Sequence, residues 1–372
     1  MLKIPSNVWP AIFLLPVALA VTAGAQSGHT YKVGVTQRKF SPSEPYNWRG
    51  AATHALLTTV WYPADAGAKE EPQVIGSPQA PFAFMGKAAP EAALTPAPQR
   101  FPLILLSHGT GGTAASLAWL GTELAAHGYI AAAVNHPGNN GLEAYTTQGF
   151  VLWWERARDL SVVIDKMLAD SAFGKRIDSK RIGAAGFSLG GYTMIEIAGG
   201  ITQLSLFRDF CNSPRRDGIC ADPPEFPGLI AKIENADDLA KSDPEVRTSL
   251  QRAGNSYRDP RVRAVFAMAP ALGPAFQPES LKKISIPVAI VAGTADANVP
   301  IGSSAEFFKN QIPGAELTLL PGATHYVFLF TCGEQGKNTR PVMCIDPAGI
   351  DRTAIHEKAA RLALEFFGKH LH

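Results

Sequence analysis

The sequence predicts an α/β fold: a mostly parallel sheet with helices on both faces. Three observations predict it. Short, continuous apolar runs recur along the chain, such as Pro102-Leu-Ile-Leu-Leu-Ser107 and Gly128-Tyr-Ile-Ala-Ala-Ala-Val134, as strands buried on both faces require. Stretches with helical spacing separate them, as where Trp153, Ala157, Leu160, Ile164 and Met167 recur on one face. Finally, 46% hydrophobic against 18% charged residues in a chain of 372 allows a core large enough for such layers.

Taken in order, the first 25 residues read as a signal peptide. Lys3 gives a small positive start, Ala11 to Val21 a short apolar stretch, and Ala23-Gly24-Ala25 a cleavage site, so the mature chain would begin near Gln26. A membrane anchor needs about 20 apolar residues. This stretch is shorter and is broken by Pro16. Residues 26–372 then form one domain. Lys32 to Lys39 and Leu56 to Tyr62 are rich in β-branched or aromatic residues and predict strands. Pro63 to Pro102, dense in Pro, Ala and Gly, predicts a long surface excursion.

After it the strand–helix alternation begins. Strands are expected at Pro102–Ser107, Gly128–Val134, Arg181–Phe187, Val262–Met268, Ile286–Ala292 and Glu316–Leu320. Helices are expected at Ala114–His127, from about Trp153 to Met167, at Tyr192–Ala198 and from Asp351 to the end, with Asp351 as N-cap. About 60 residues, 200–260, break this rhythm. They hold two cysteines, the cluster Pro223, Pro224 and Pro227, and a charged helical stretch. They read as an insertion above the sheet, either a lid or a surface elaboration.

The net charge of +2 gives no reason to expect nucleic acid or an anionic surface as partner. No further segment is long and apolar enough to span a bilayer. Four cysteines in a chain read as exported predict disulfides, and three pairings exist. The local pairs Cys211–Cys220 and Cys332–Cys344 are favoured because each staples a Pro/Gly-rich loop. The alternative, a metal site, has no support in the spacings, and no cofactor is expected. Oligomeric state is not legible.

The chemistry centres on Gly186-Phe187-Ser188-Leu189-Gly190, a G-x-S-x-G pattern between a buried strand and a helix. That context makes a sharp strand-to-helix turn projecting a serine hydroxyl above the sheet. A serine hydroxyl is a weak nucleophile and needs a base. His325, in the loop after the last apolar strand, is the candidate. Asp296, in the loop after the preceding strand, is the carboxylate expected to orient it, and the order Ser, Asp, His is the one such folds use. Asp296 has an ordinary alternative as an Asx-turn residue. The run Ser107-His108-Gly109-Thr110-Gly111-Gly112 also follows a buried strand. The backbone N–H groups of Thr110 and Leu189 are the expected oxyanion hole. His108 reads as a structural neighbour, and Asn135-His136-Pro137-Gly138 reads as a turn.

These motifs carry a resemblance. Ser107-His108-Gly109, Asn135-His136-Pro137-Gly138, Trp154-Glu-Arg-Ala-Arg-Asp159-Leu and Gly186-Phe-Ser188-Leu-Gly-Gly, each in its place in the alternation, resemble the exported dienelactone-hydrolase-like family. That family is similar to the platelet-activating-factor acetylhydrolases. The likeness runs from about Tyr31 to the C-terminus and is weakest in 63–99 and in the insertion. It implies an α/β-hydrolase fold, Ser188, Asp296 and His325 as triad, and hydrolysis of esters with short or modest acyl chains, lipid esters included. True dienelactone hydrolases use a cysteine nucleophile. Ser188 stands there in this chain, which favours ordinary esters over lactones.

The expectation is therefore an exported (periplasmic or secreted) serine hydrolase acting on small-molecule esters. A peptidase or amidase with the same triad is the alternative. A non-catalytic binding protein is a third reading, disfavoured because all three triad members are present.

Overall fold

The computed structural model describes residues 30–96 and 100–372, so the expected signal peptide at 1–25 lies outside the described residues. The described strands are β1 (Lys32–Phe40), β2 (Leu56–Ala64), β3 (Glu71–Ser77), β4 (Ala80–Pro90), β5 (Phe101–Ser107), β6 (Ile130–Val134), β7 (Ile177–Phe187), β8 (Val262–Met268), β9 (Val288–Gly293), β10 (Glu316–Leu320) and β11 (Thr331–Cys332). Their order across the sheet is β10-β9-β8-β7-β5-β6-β2-β1-β4-β11, with β3 beside β4. From β10 to β6 every neighbour is parallel. β2 then runs antiparallel to both β6 and β1.

Period-two alternation explains how continuous apolar strands serve two cores. Leu103, Leu105, Ile130 and Ala132 face the layer holding Leu160, Ile164 and Tyr192. Ile104, Leu106, Ala131 and Ala133 face the layer holding Leu117, Leu120, Leu124 and Phe367. All are fully buried, and each such leucine or isoleucine contributes roughly 1.5–3 kcal/mol relative to exposure. Asp351 caps the last helix, Arg352–His370: its Oδ1 accepts from the amides of Thr353 and Ala354 at 2.9 and 3.2 Å.

Three expectations need correction. Pro63–Pro102 lies mostly at the surface as expected, but it is not an irregular excursion: it holds the β3–β4 hairpin, and β4 joins the main sheet through Gly34–Ala89 and Val35–Pro90. Ala83 and Ala88 are fully buried there, small side chains that give no apolar signal in the sequence. β9 begins at Val288 because Pro287 has no N–H to donate to a ladder. Trp153 lies ahead of its helix, which starts at Glu155.

Both local disulfides are present, Cys211–Cys220 and Cys332–Cys344, and no described cysteine is free. Residues 200–260 fold into short helices, including Leu204–Cys211, Leu229–Glu234, Ala236–Ser242 and Pro244–Arg252. Buried polar contacts tie them down: Trp154 Nε1 donates to Ser249 Oγ (3.0 Å), and Ser249 Oγ donates to Glu155 Oε1 (2.5 Å). Among the described residues no helix is long and apolar enough to cross a membrane.

Candidate active site

The loops at the C-terminal ends of β5, β7, β9 and β10 meet at one place. At the end of β7 the chain turns sharply into the helix Leu189–Ile197, with Ser188 at φ 56°, ψ −117°. A side-chain-bearing residue held there costs of order 1–3 kcal/mol, and such strain persists only where the surroundings enforce it. Here they do. The Ser188 amide donates to Met268 O (2.9 Å), and glycines permit the close approach. A Cβ on Gly186 would sit 2.3 Å from Gly190 O, and one on Gly190 would sit 1.9 Å from Ser107 O.

The Asp296 and His325 loops are laced together. The Thr294 amide donates to Leu320 O and the Ala295 amide to Ala323 O, both at 3.0 Å. Gly293 leaves no room for a side chain, since a Cβ there would lie 2.1 Å from Ala323 O. The three side chains then form one chain of hydrogen bonds. Ser188 Oγ lies 2.9 Å from His325 Nε2, and His325 Nδ1 lies 2.7 Å from Asp296 Oδ2. Asp296 uses its other oxygen as an Asx-turn acceptor for the amides of Asn298 (3.0 Å) and Val299 (2.7 Å). The two roles weighed for Asp296 in the sequence therefore coexist in one carboxylate. With its oxygens accepting, the proton between the pair sits on Nδ1, leaving Nε2 to accept from the serine hydroxyl. Phe187 packs its ring against His325, centroids 4.8 Å apart.

Ser188, Asp296 and His325 are all largely buried, at 6–7% exposure. Ser188 and His325 line a cleft of about 850 Å³, open mouth included. Thr110 and Leu189 border it beside Ser188. Among the described residues neither amide donates to another protein group. Two free N–H groups beside a hydroxyl can receive a developing oxyanion.

The walls are largely apolar, with Phe150 and Trp153, and with Phe207, Leu229 and Ile233 from the insertion, but Asp222, Glu225 and Asn298 also line the cleft. Tyr326 lines the cleft next to the histidine, and burial followed by the Glu225 carboxylate holds its phenol well above the ordinary value, so it stays neutral. Sequence reasoning did not foresee these wall residues. The i, i+4 pair Leu229 and Ile233 was a visible signal, but nothing local told which way that face would turn.

A sheet with this order, bearing a strained serine between strand and helix and a histidine and aspartate on later loops, defines an α/β hydrolase. The sequence profile of the alpha/beta hydrolase family matches residues 103–335, and the chain belongs to that family. The solved structure of a ferulic acid esterase from Streptomyces cinnamoneus superposes with a TM-score of 0.60, at 20% identity, over 94% of this chain and 92% of that one. In sequence the chain is 36% identical over 97 residues to cutinase est2 of Thermobifida alba, covering 26% of this chain and 29% of that protein. It is 34% identical over 83 residues to lipase 1 of Moraxella sp. (strain TA144), covering 22% and 23%. The matched stretch thus spans less than a third of these relatives' length.

Proposed function

We propose that the protein is an exported serine esterase that hydrolyses carboxylic esters through an acyl-enzyme. The observation that carries this reading is the unbroken Ser188–His325–Asp296 chain at the floor of a largely apolar cleft, with two unengaged amides beside the hydroxyl. Ser188 Oγ attacks the ester carbonyl carbon while its proton passes to His325 Nε2. The carbonyl oxygen takes the negative charge and is met by the N–H groups of Thr110 and Leu189. Asp296 holds the imidazole's tautomer and balances the imidazolium. Collapse of the intermediate breaks the ester bond, and His325 returns the proton to the leaving alkoxide. Water, deprotonated by His325, then attacks the acyl-enzyme by the same route, releasing the acid and restoring Ser188.

The relatives named as cutinases, a lipase and a ferulic acid esterase support esters over amides. The largely apolar walls suit an apolar acyl group, and its short or modest length is what the resemblance to the dienelactone-hydrolase-like family implies. The motifs at 107–109, 135–138 and 186–191 favour the exported dienelactone-hydrolase-like branch, with lipid esters of the platelet-activating-factor kind among its candidate substrates. In this reading residues 1–25 are a signal peptide, 26–372 the hydrolase, and the 200–260 insertion a lid that walls the cleft. The two disulfides support an oxidising compartment, periplasmic or extracellular.

The test is turnover of p-nitrophenyl esters of graded acyl length beside a matched anilide. Ser188→Ala should abolish ester turnover with the thermal melt preserved. Near-wild-type turnover by Ser188→Ala would refute the reading, and preference for the anilide would replace esterase with amidase.

A further inference from the structure

Behind the oxyanion loop lies a second serine–histidine–carboxylate relay, wholly buried. Ser107 Oγ sits 2.9 Å from His136 Nε2, and His136 Nδ1 sits 2.6 Å from Asp159 Oδ2. The connectivity copies that of Ser188, His325 and Asp296, yet all three residues are 0% exposed, so no substrate reaches them. Asp159 is itself anchored. Arg49 Nη2 donates to both its oxygens, at 2.9 and 2.8 Å, and the Tyr46 hydroxyl donates to Oδ1. Burial, then the cations Arg156 and Arg49, push His136 well below its ordinary value, so the ring is neutral. Asp159 fixes the ring proton on Nδ1, and Nε2 accepts the Ser107 hydroxyl.

This assembly grips the chain one and two residues before Thr110. The His136 amide donates to His108 Nε2 at 3.2 Å, which leaves the His108 proton on Nδ1, donated to Gly109 O at 2.7 Å. Arg156 Nη2 donates to His108 O and, at 3.4 Å, to Ser107 Oγ. Nε and Nη1 of Arg156 have no partner among the described residues. A fully desolvated guanidinium is thus committed to one hydroxyl and one peptide carbonyl of adjacent residues, Ser107 at the end of β5 and His108 just beyond it. Gly109 in turn packs on the reacting residue: a Cβ there would meet Ser188 Cβ at 3.2 Å.

We propose that Arg156, His136 and Asp159 are positioning residues for the oxyanion hole, holding the His108–Gly109 main chain so that the Thr110 N–H points at the oxygen that becomes negative. The proposal rests on acyl transfer at Ser188. Their effect is on the transition state, because the ester in its ground state places no anion there.

The test compares Arg156→Met with wild type on p-nitrophenyl acetate and on its thiono analogue, whose sulfur fits poorly between oxyanion donors. Losing one donor outright costs on the order of 100–1,000-fold in kcat, so misaiming one should cost on the order of 10–100-fold. The expected result is that loss in kcat for the oxygen ester, KM within about twofold, and a smaller loss for the thiono ester, in a variant that melts cooperatively. Equal losses on both esters, or an unchanged kcat, overturn the proposal. Should Arg156→Met fail to fold, Ser107→Ala, which removes one hydroxyl, carries the same comparison at lower amplitude, and absence of the oxygen-over-sulfur skew overturns it. Ser188→Ala in parallel separates the two claims. If Ser188→Ala is active, the esterase reading falls. If it is inactive while the skew is absent, only the positioning role falls.

Discussion

Gly190→Ala isolates the steric demand of the serine turn from its chemistry. In the interior of an exposed helix, glycine to alanine stabilises by about 1 kcal/mol. At position 190 the sign should invert. The new Cβ would stand 1.9 Å from Ser107 O, 2.6 Å from Ser107 C and 2.8 Å from His108 O, all backbone atoms that cannot swing aside. Ordinary van der Waals contact would require β5 and the serine helix to part by about 1.5 Å. Overpacking of this kind costs about 1–3 kcal/mol or more, which outweighs the propensity gain. At about 0.7 kcal/mol per degree for a chain of this length, a 3 kcal/mol loss lowers Tm by about 4 °C. The same separation would pull the Thr110 loop from Leu189, and a 1 Å misplacement can cost about 100-fold in rate. Thermal melts by circular dichroism, paired with kcat on p-nitrophenyl acetate, measure both. Gly302→Ala is the control, since nothing lies within 4 Å of its added Cβ. A Gly190→Ala protein with wild-type Tm and kcat would refute the steric reasoning.

Asp296→Asn should leave the fold intact and lower kcat on the order of 1,000–10,000-fold, because an amide no longer fixes the His325 tautomer; steady-state kinetics beside a melt decide it. Cys332→Ala/Cys344→Ala opens a loop of 12-residue separation and should cost about 3 kcal/mol, read as a lower urea midpoint, and an unchanged midpoint would contradict it. His356, stacked on Trp119 and donating from Nε2 to Val327 O at 2.8 Å, is pushed by burial from 6.5 to about 4. Its folded form therefore stays neutral while the unfolded chain binds a proton. Its contribution to stability is full above pH 6.5 and is lost as pH falls toward 4. Between pH 7 and 5 this amounts to about 2 kcal/mol, so urea melts of His356→Phe should lose that much less stability over the interval than wild type.

How much of this was legible in the sequence depended on whether the signal was local. Val262–Met268 and Glu316–Leu320 appear as strands with the expected bounds: the first is apolar and buried at every position but Arg263, and the second alternates Leu317 and Leu319 with Glu316 and Thr318 before the buried Leu320. The positions of Ser188, Asp296 and His325 followed from turn chemistry at strand ends, and the structure brings these three together. The β3–β4 hairpin was missed because its buried positions are alanines, whose burial depends on neighbours distant in sequence. The buried relay was half visible. Asn135-His136-Pro137-Gly138 read as a turn, and it is one, with the Asn139 amide donating to His136 O. That the same histidine would meet Asp159 in the helix Glu155–Ala169 and Ser107 at the end of β5 is a three-element contact with no local signature. Arg49, brought from 110 residues away to Asp159, could not be inferred at all.

The central claim is that the Ser188 hydroxyl, alone among the serines, is made reactive by its hydrogen-bonded histidine. Peptide mass mapping after brief exposure to a fluorophosphonate tests it most directly. The account predicts one phosphonyl adduct per chain, on the peptide carrying Ser188, and none in His325→Ala. No adduct on that peptide, or equal labelling in His325→Ala, would contradict it.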